Sequence, residues 1–160
     1  MESLLNKISE YQLFNFLFSG TILVFLVNET TAISIHSEEI LVTLFIYYLV
    51  GLIVSRVGSL IIEPIFKKLR LVTLKPYQQY LRAVKKDPKI DVFSQENNVY
   101  RTLIAMFLIY FMVYASFQIY PELLEQEWLP LVLAGSGIVL FSLSYRKQTK
   151  YISYRVDNNK

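Results

Sequence analysis

The chain has 160 residues, 54% of them hydrophobic and 15% aromatic, with a formal charge of +3 and a mean hydropathy of +0.39. That is too apolar for a small soluble domain of ordinary design, and the scarcity of breakers (5 Gly and 5 Pro) suits long helices. With no Cys, disulfides, thiolate metal centres and Cys nucleophiles are excluded; with His36 as the single histidine, so is a His-based catalytic pair or multi-His metal site within one chain.

Four apolar blocks follow one another: Tyr11–Val27, Ile40 to about Ile62, Thr102 to about Tyr120, and Trp128–Tyr145. A bilayer core of ~30 Å takes ~20 helical residues, so each block is read as a membrane span. The first is the shortest and is diluted by Asn15, Ser19 and Thr21. Its leader, MESLLNKISE, has one Lys against two Glu, and no small-residue cleavage site follows, so we expect a retained helix and not a cleaved signal. Asn15 and Ser19 are spaced i, i+4 and either line a pore or hydrogen-bond between helices. After this span, Asn28-Glu29-Thr30 matches a glycosylation acceptor pattern, and His36 reads as a solvated loop residue.

The second block changes character over GLIVSRVGSLIIEPIFKKLR, Gly51 to Arg70. At 100° per residue Arg56, Glu63, Lys67 and Arg70 fall within a ~60° arc, Lys68 lies off it, and Ile61, Ile65 and Leu69 face away. The spacing predicts a helix that leaves the bilayer and bends at Pro64. Arg56 lies ~24 Å along from Ile40, near the interface. It either anchors the helix end by snorkelling or joins Glu63 in an interhelical pair or polar vestibule.

Between the second and third spans lies the one connection large enough to be more than a link, an insert over 63–99. Pro76 suits a first helical turn, with Tyr77, Tyr80, Leu81 and Val84 at helical spacing behind it. Asp87-Pro88 ends that helix, Lys89 to Phe93 is read as a brief extended piece, and Ser94 followed by Gln95, Glu96 and Asn97 as the start of the third helix. A module of ~30 residues is too small to fold alone and must pack on the bundle or on neighbouring subunits. In the fourth block, Trp128 at the start and Tyr145 at the end read as interfacial aromatic anchors, and Ala134-Gly135-Ser136-Gly137 offers close helix contact or a hinge.

The basic residues of the insert are Lys67, Lys68, Arg70, Lys75, Arg82, Lys85, Lys86 and Lys89, opposed nearby only by Glu63, Asp87 and Asp91. The positive-inside bias and attraction to anionic membrane lipids account for such a cluster. So does a polyanion-binding face, with the basic side chains taking phosphates and Tyr77 and Tyr80 stacking bases. A cyclic homo-oligomer would gather several such loops around one axis. Neither catalytic residues nor a cofactor or metal site are expected.

The stretches VSRVGSLIIEPIFKKLRLV and DPKIDVFSQENNVYRTLIAM, within roughly Val54 to Met106, resemble small membrane proteins encoded in bacterial defence loci. Within that group the chain is most similar to the membrane channel effector of the Hailong anti-phage system, and next to the membrane subunit of the Kiwa system. The resemblance implies a homo-oligomeric channel of the bacterial inner membrane, a tetramer being the favoured stoichiometry. It also implies a soluble nucleotidyltransferase partner whose single-stranded DNA oligomers hold the channel shut until infection relieves the inhibition and depolarises the cell. A membrane scaffold whose loop docks a soluble protein is the competing class.

The reading is therefore all-α: one polytopic domain over 1–160 with four transmembrane helices and a small basic cytosolic module between the second and third. The segment Asn28 to Glu39 carries Glu29, Glu38 and Glu39, and Pro121 to Glu127 carries Glu122, Glu125 and Glu127, neither with any Lys or Arg. Arg56 to Arg101 carries ten basic residues and Arg146 to Lys160 five, so both termini and the insert are expected in the cytoplasm. Single cysteines at Ser37 and Glu125 should react with an impermeant thiol reagent on intact cells, and one at Gln79 should not. Labelling at Gln79 without labelling at Ser37 would invert the topology.

Overall fold

The computed structural model describes residues 2–117 and 128–159, with side chains from Tyr11 onward. Six helices account for most of them: α1 (Glu2–Thr30), α2 (Ile40–Val57), α3 (Glu63–Lys68), α4 (Tyr77–Lys86), α5 (Lys89–Phe117) and α6 (Leu129–Asn158). Four stretches are long and apolar enough to cross a membrane, namely Tyr11–Thr30, Ile40–Lys68, Lys89–Phe117 and Leu129–Asn158. The chain is an all-α, multi-pass membrane protein. The expected end of the third span near Tyr120 and the acidic segment from Pro121 to Glu127 lie outside the described residues.

α5 is the axis of the fold, with α1 and α2 along one side and α6 along another. Its buried row of Leu103, Ile104, Ala105, Met106 and Tyr110 meets Leu23 and Val27 of α1, Val54 of α2 and Ala134 of α6. Outward, α2 exposes Leu41, Phe45 and Ile53, and α6 exposes Val139, Leu140 and Leu143, the faces that hydrocarbon would cover. α1 and α2 form an antiparallel hairpin with touching backbones. A Cβ on Gly20 would collide with the Tyr47 carbonyl, and one on Gly51 with the Phe16 carbonyl. Small residues allow this kind of approach between membrane helices. In the last turn of α1 the Asn28 amide is committed to Ile35 of the connecting loop, accepting from its N–H at 2.9 Å and donating to its carbonyl at 3.3 Å. His36 is exposed and bonds Ser34 at 2.8 Å.

Three local expectations need correction. The second helix breaks before Pro64, through a π turn over Gly58–Ile62, in which the Glu63 N–H reaches back five residues to the Gly58 carbonyl. Proline has no N–H, and its ring crowds the carbonyl four residues earlier, so the ladder widens one turn upstream. α3 then ends at Lys68, and Arg70 takes a left-handed conformation at φ 55° that turns the chain out of the helix. Next, Lys89 to Phe93 is helical and not extended: α5 starts at Lys89, five residues ahead of Ser94. Asp87 Oδ1 accepts the Lys89 N–H at 3.2 Å and Pro88 supplies a preset φ, so one dipeptide ends α4 and starts α5. Finally, Tyr145 is no interfacial anchor. It is buried edge-on against Phe66 at 5.6 Å, and α6 runs past it to Asn158.

That extension completes the insert. Ala83 of α4, Ile90 of α5 and Val156 of α6 bury one another, flanked by Tyr80, Val84 and Ile152. Asp87 Oδ2 accepts two bonds from Arg155, at 2.9 and 2.5 Å, whose guanidinium also lies over the rings of Phe93 and Tyr151. In the Ala134–Gly137 run, Ala134 and Gly137 are buried, Gly137 facing the Phe107 ring, while a Cβ on Gly135 would meet nothing within 4 Å. Gly51→Ala should therefore destabilise the protein by roughly 1–3 kcal/mol through overpacking. Gly135→Ala should be neutral or stabilising by up to about 1 kcal/mol. Unfolding midpoints in detergent read by far-UV circular dichroism test the contrast, and equal effects at the two glycines would refute the packing described.

Candidate functional site

Charged and polar side chains gather at one end of the bundle, where α2 and α3 leave the spans and α5 enters. The π turn rotates Glu63 away from the stripe that would hold it beside Arg56. Glu63 instead accepts from Arg101 of α5 through one oxygen, and from Lys67 at 2.6 Å through the other. The Glu63 and Arg101 side chains are only 18% and 14% exposed, and Lys67 is open to solvent. Buried Tyr145 lies beside this pair. Arg56 is exposed and makes no ion pair among the described residues, so of the two readings offered for it the direct pair with Glu63 does not form.

Arg56 lines a crevice of about 190 Å³ between α1, α2 and α5, together with Asn15, Ser55, Ser59, Asn98 and Arg101. Asn15, 4% exposed, donates to Thr102 of α5 at 3.4 Å. Ser19 is fully buried and donates back to the Asn15 carbonyl at 2.8 Å, within α1. Of the four residues singled out for a pore or vestibule, Asn15 and Arg56 thus share the crevice. Glu63 reaches it through Arg101, and Ser19 sits in the helix interface.

The second half of the site is the outer surface of the insert. α4 turns Tyr80, Ala83 and Val84 inward and leaves Arg82, Lys85 and Lys86 exposed. Lys75 bonds Asp157 at 2.6 Å. Lys68, Arg70, Arg82, Lys85 and Lys89 are exposed and make no ion pair among the described residues. The two tyrosines differ. Tyr77 is 72% exposed, and its ring stacks at 6.5 Å on that of Tyr80. Tyr80 donates to Asp91 at 3.2 Å. Burial pushes its phenol above the usual range, a hydrogen bond with Ser94 opposing the shift and the Asp91 carboxylate adding to it. Tyr77 is a stacking surface and Tyr80 is its support. Behind them a groove of about 360 Å³ runs between α4, α5 and α6, with Lys67, Lys75 and Tyr77 at one side and Asn97 and Thr149 among its other lining residues.

Sequence reasoning missed Arg101, Asn97, Thr102, Thr149 and Arg155. Asn97, Asn98, Arg101 and Thr102 form a two-turn polar face at i, i+1, i+4, i+5, a signal that was present but merged into the count of basic residues. No group of three or more acidic or His side chains suited to a metal occurs among the described residues. No family model, curated relative or solved structure matches the chain.

Removing one partner of a mostly buried ion pair strands the other charge. Glu63→Gln and Arg101→Gln should each destabilise the protein by roughly 3 kcal/mol, and the double variant by less than the sum. Arg56→Gln should leave stability unchanged. Thermal unfolding in detergent gives the three comparisons; additive losses would show that Glu63 and Arg101 are not coupled.

Proposed function

We propose that this chain is a homo-oligomeric, channel-type membrane effector whose basic face takes an anionic oligonucleotide, the function implied by its resemblance to bacterial defence-locus membrane proteins. In this reading it sits in the bacterial inner membrane with the insert and both termini in the cytoplasm. A soluble nucleotidyltransferase supplies the ligand, and release of the ligand lets the assembly depolarise the cell. The ligand is read by its phosphates and its flat bases, so the face needs uncommitted cations beside an exposed ring.

The supporting observation is the way α4 is divided. Its inner face is fully used in packing, while Arg82 and Lys85, with Lys89 just beyond, have no acidic partner among the described residues and lie on the helix that carries the exposed Tyr77. A solvated surface with no ligand commonly intersperses charges of both signs. The competing class, a scaffold that docks a soluble protein, draws on the shallow surface where Leu81, 42% exposed, lies among Gln78, Arg82 and Lys85.

Fluorescence anisotropy with a labelled single-stranded DNA of mixed sequence tests the proposal on detergent-solubilised protein. Converting Arg82, Lys85 and Lys89 together to Gln should weaken binding at least about tenfold and reduce the salt slope by roughly 2, at ~0.7 per phosphate contact. Tyr77→Ala should cost ~1–3 kcal/mol without changing that slope. Tyr80→Phe should leave binding intact and loosen the insert. In cells, the triple variant should lower the membrane potential without infection. A triple variant that binds DNA and behaves in cells like the parent would sink the oligonucleotide reading and leave the scaffold.

A further inference from the structure

We infer that the crevice between α1, α2 and α5 seats the headgroup of a phospholipid that carries a hydrogen-bond donor beyond its phosphate, such as phosphatidylethanolamine or phosphatidylglycerol, in preference to phosphatidylcholine. This stands on the crevice alone and is independent of any ligand on the insert.

Counted along α2, the crevice lies within snorkelling reach of the headgroup layer. Arg56 is sixteen residues past Ile40, ~24 Å along a helix that crosses a hydrocarbon core of ~30 Å. Ile53 and Leu49, one and two turns back on the same side of α2, are both exposed and continue the track into the apolar region. The volume of about 190 Å³ suits a small polar head and falls below the ~300–1,000 Å³ of ordinary small-molecule pockets.

Its chemistry is two-sided. Among the described residues, Arg56 contributes an exposed cation without an acidic partner, and Arg101 a buried Nε–H that finds no acceptor. Both favour a phosphate oxygen. Asn15 contributes the opposite need. The Thr102 hydroxyl gives its one proton to the Asn98 carbonyl at 2.9 Å, with the Ser55 hydroxyl a longer second acceptor at 3.5 Å, so toward Asn15 it accepts. The Asn15 amide therefore presents its Nδ2 to Thr102, and Oδ1 is left as a buried acceptor with no donor among the described residues. A stranded buried acceptor is destabilising, and more so where hydrocarbon replaces water. A ligand meeting all three groups carries an anionic oxygen and, a few ångströms away, an N–H or O–H. Phosphoethanolamine and phosphoglycerol heads have both. The choline head has a phosphate and no donor.

The same phosphate chemistry comes from lipid or from free anions, and the test separates them. Protein stripped of lipid in neutral detergent is titrated with short-chain phosphatidylethanolamine, phosphatidylglycerol and phosphatidylcholine, and with soluble phosphoethanolamine and inorganic phosphate, following the unfolding midpoint. The first two lipids should raise it at concentrations at least about tenfold below phosphatidylcholine, with no shift from the soluble heads over the same range. Arg56→Gln should weaken the response to every lipid at least about tenfold. Asn15→Leu should remove the preference over phosphatidylcholine and keep the part that depends on Arg56. Equal response to the three lipids in the parent, or a parent-like Arg56→Gln, would overturn the inference. A shift from phosphate or phosphoethanolamine matching that from lipid would make this a soluble-anion site instead. Because Arg56 is exposed and its replacement does not threaten folding, the parent and Arg56→Gln decide the matter even if Asn15→Leu does not fold.

Discussion

Pro64 lacks an N–H, and much of the ionic end follows from that. The helical ladder ahead of it cannot run in ordinary register and widens into the π turn over Gly58–Ile62. One extra residue in a turn rotates everything after it by about a quarter of a revolution. Glu63 is thereby carried off the side of α2 that holds Arg56 and onto Arg101 of α5. Gly58 takes part in the same fit, since a side chain there would press on the Arg101 carbonyl at 3.2 Å.

The ion pair separates two environments. On one side of it the helices meet through small and apolar residues, with α1 and α2 in backbone contact and α5 filling the centre. On the other, polar contacts join the small apolar cluster of Ala83, Ile90 and Val156: Asn97 to Thr149 at 2.9 Å, Gln148 to Glu96 at 2.9 Å, and Ser153 to the Thr73 carbonyl at 3.0 Å. Hydrocarbon tolerates the first kind of surface and water the second. Leaving Arg56 outside the pair gives this boundary a charge with no acidic partner among the described residues, on the side facing α1.

The four spans were legible because hydrophobic length is a direct physical requirement of the bilayer, and α4 was legible because Pro76 and Asp87-Pro88 bracket an amphipathic run. The start of α5 was misplaced because Lys-Ile-Asp-Val-Phe alternates as a strand would, while its Asp-Pro lead is equally a helix opening. The tertiary cap prevailed. The partner of Glu63 was not legible at all. A single π turn shifts the phase of every later residue, and periodicity counted at 100° carries no record of it. Tyr145 was read as an interfacial residue from its place at the end of an apolar block, yet it is buried because α6 continues and Phe66 covers it. The division between Tyr77 and Tyr80 also had to await the structure, since both follow the same helical spacing.

The insert is closed by residues far downstream of it. Asp87 is held by Arg155, 68 positions later in the chain, and the Ala83–Ile90 contact is roofed by Val156. At about 5–20 residues per second, roughly 3–14 seconds of synthesis separate the emergence of α4 from that of its partner. Through that interval the amphipathic helix has an uncovered apolar face beside the membrane surface. The fold of the insert is thus tied to the last helix made: a chain stopped short of Val156 would lack the residue that closes α4.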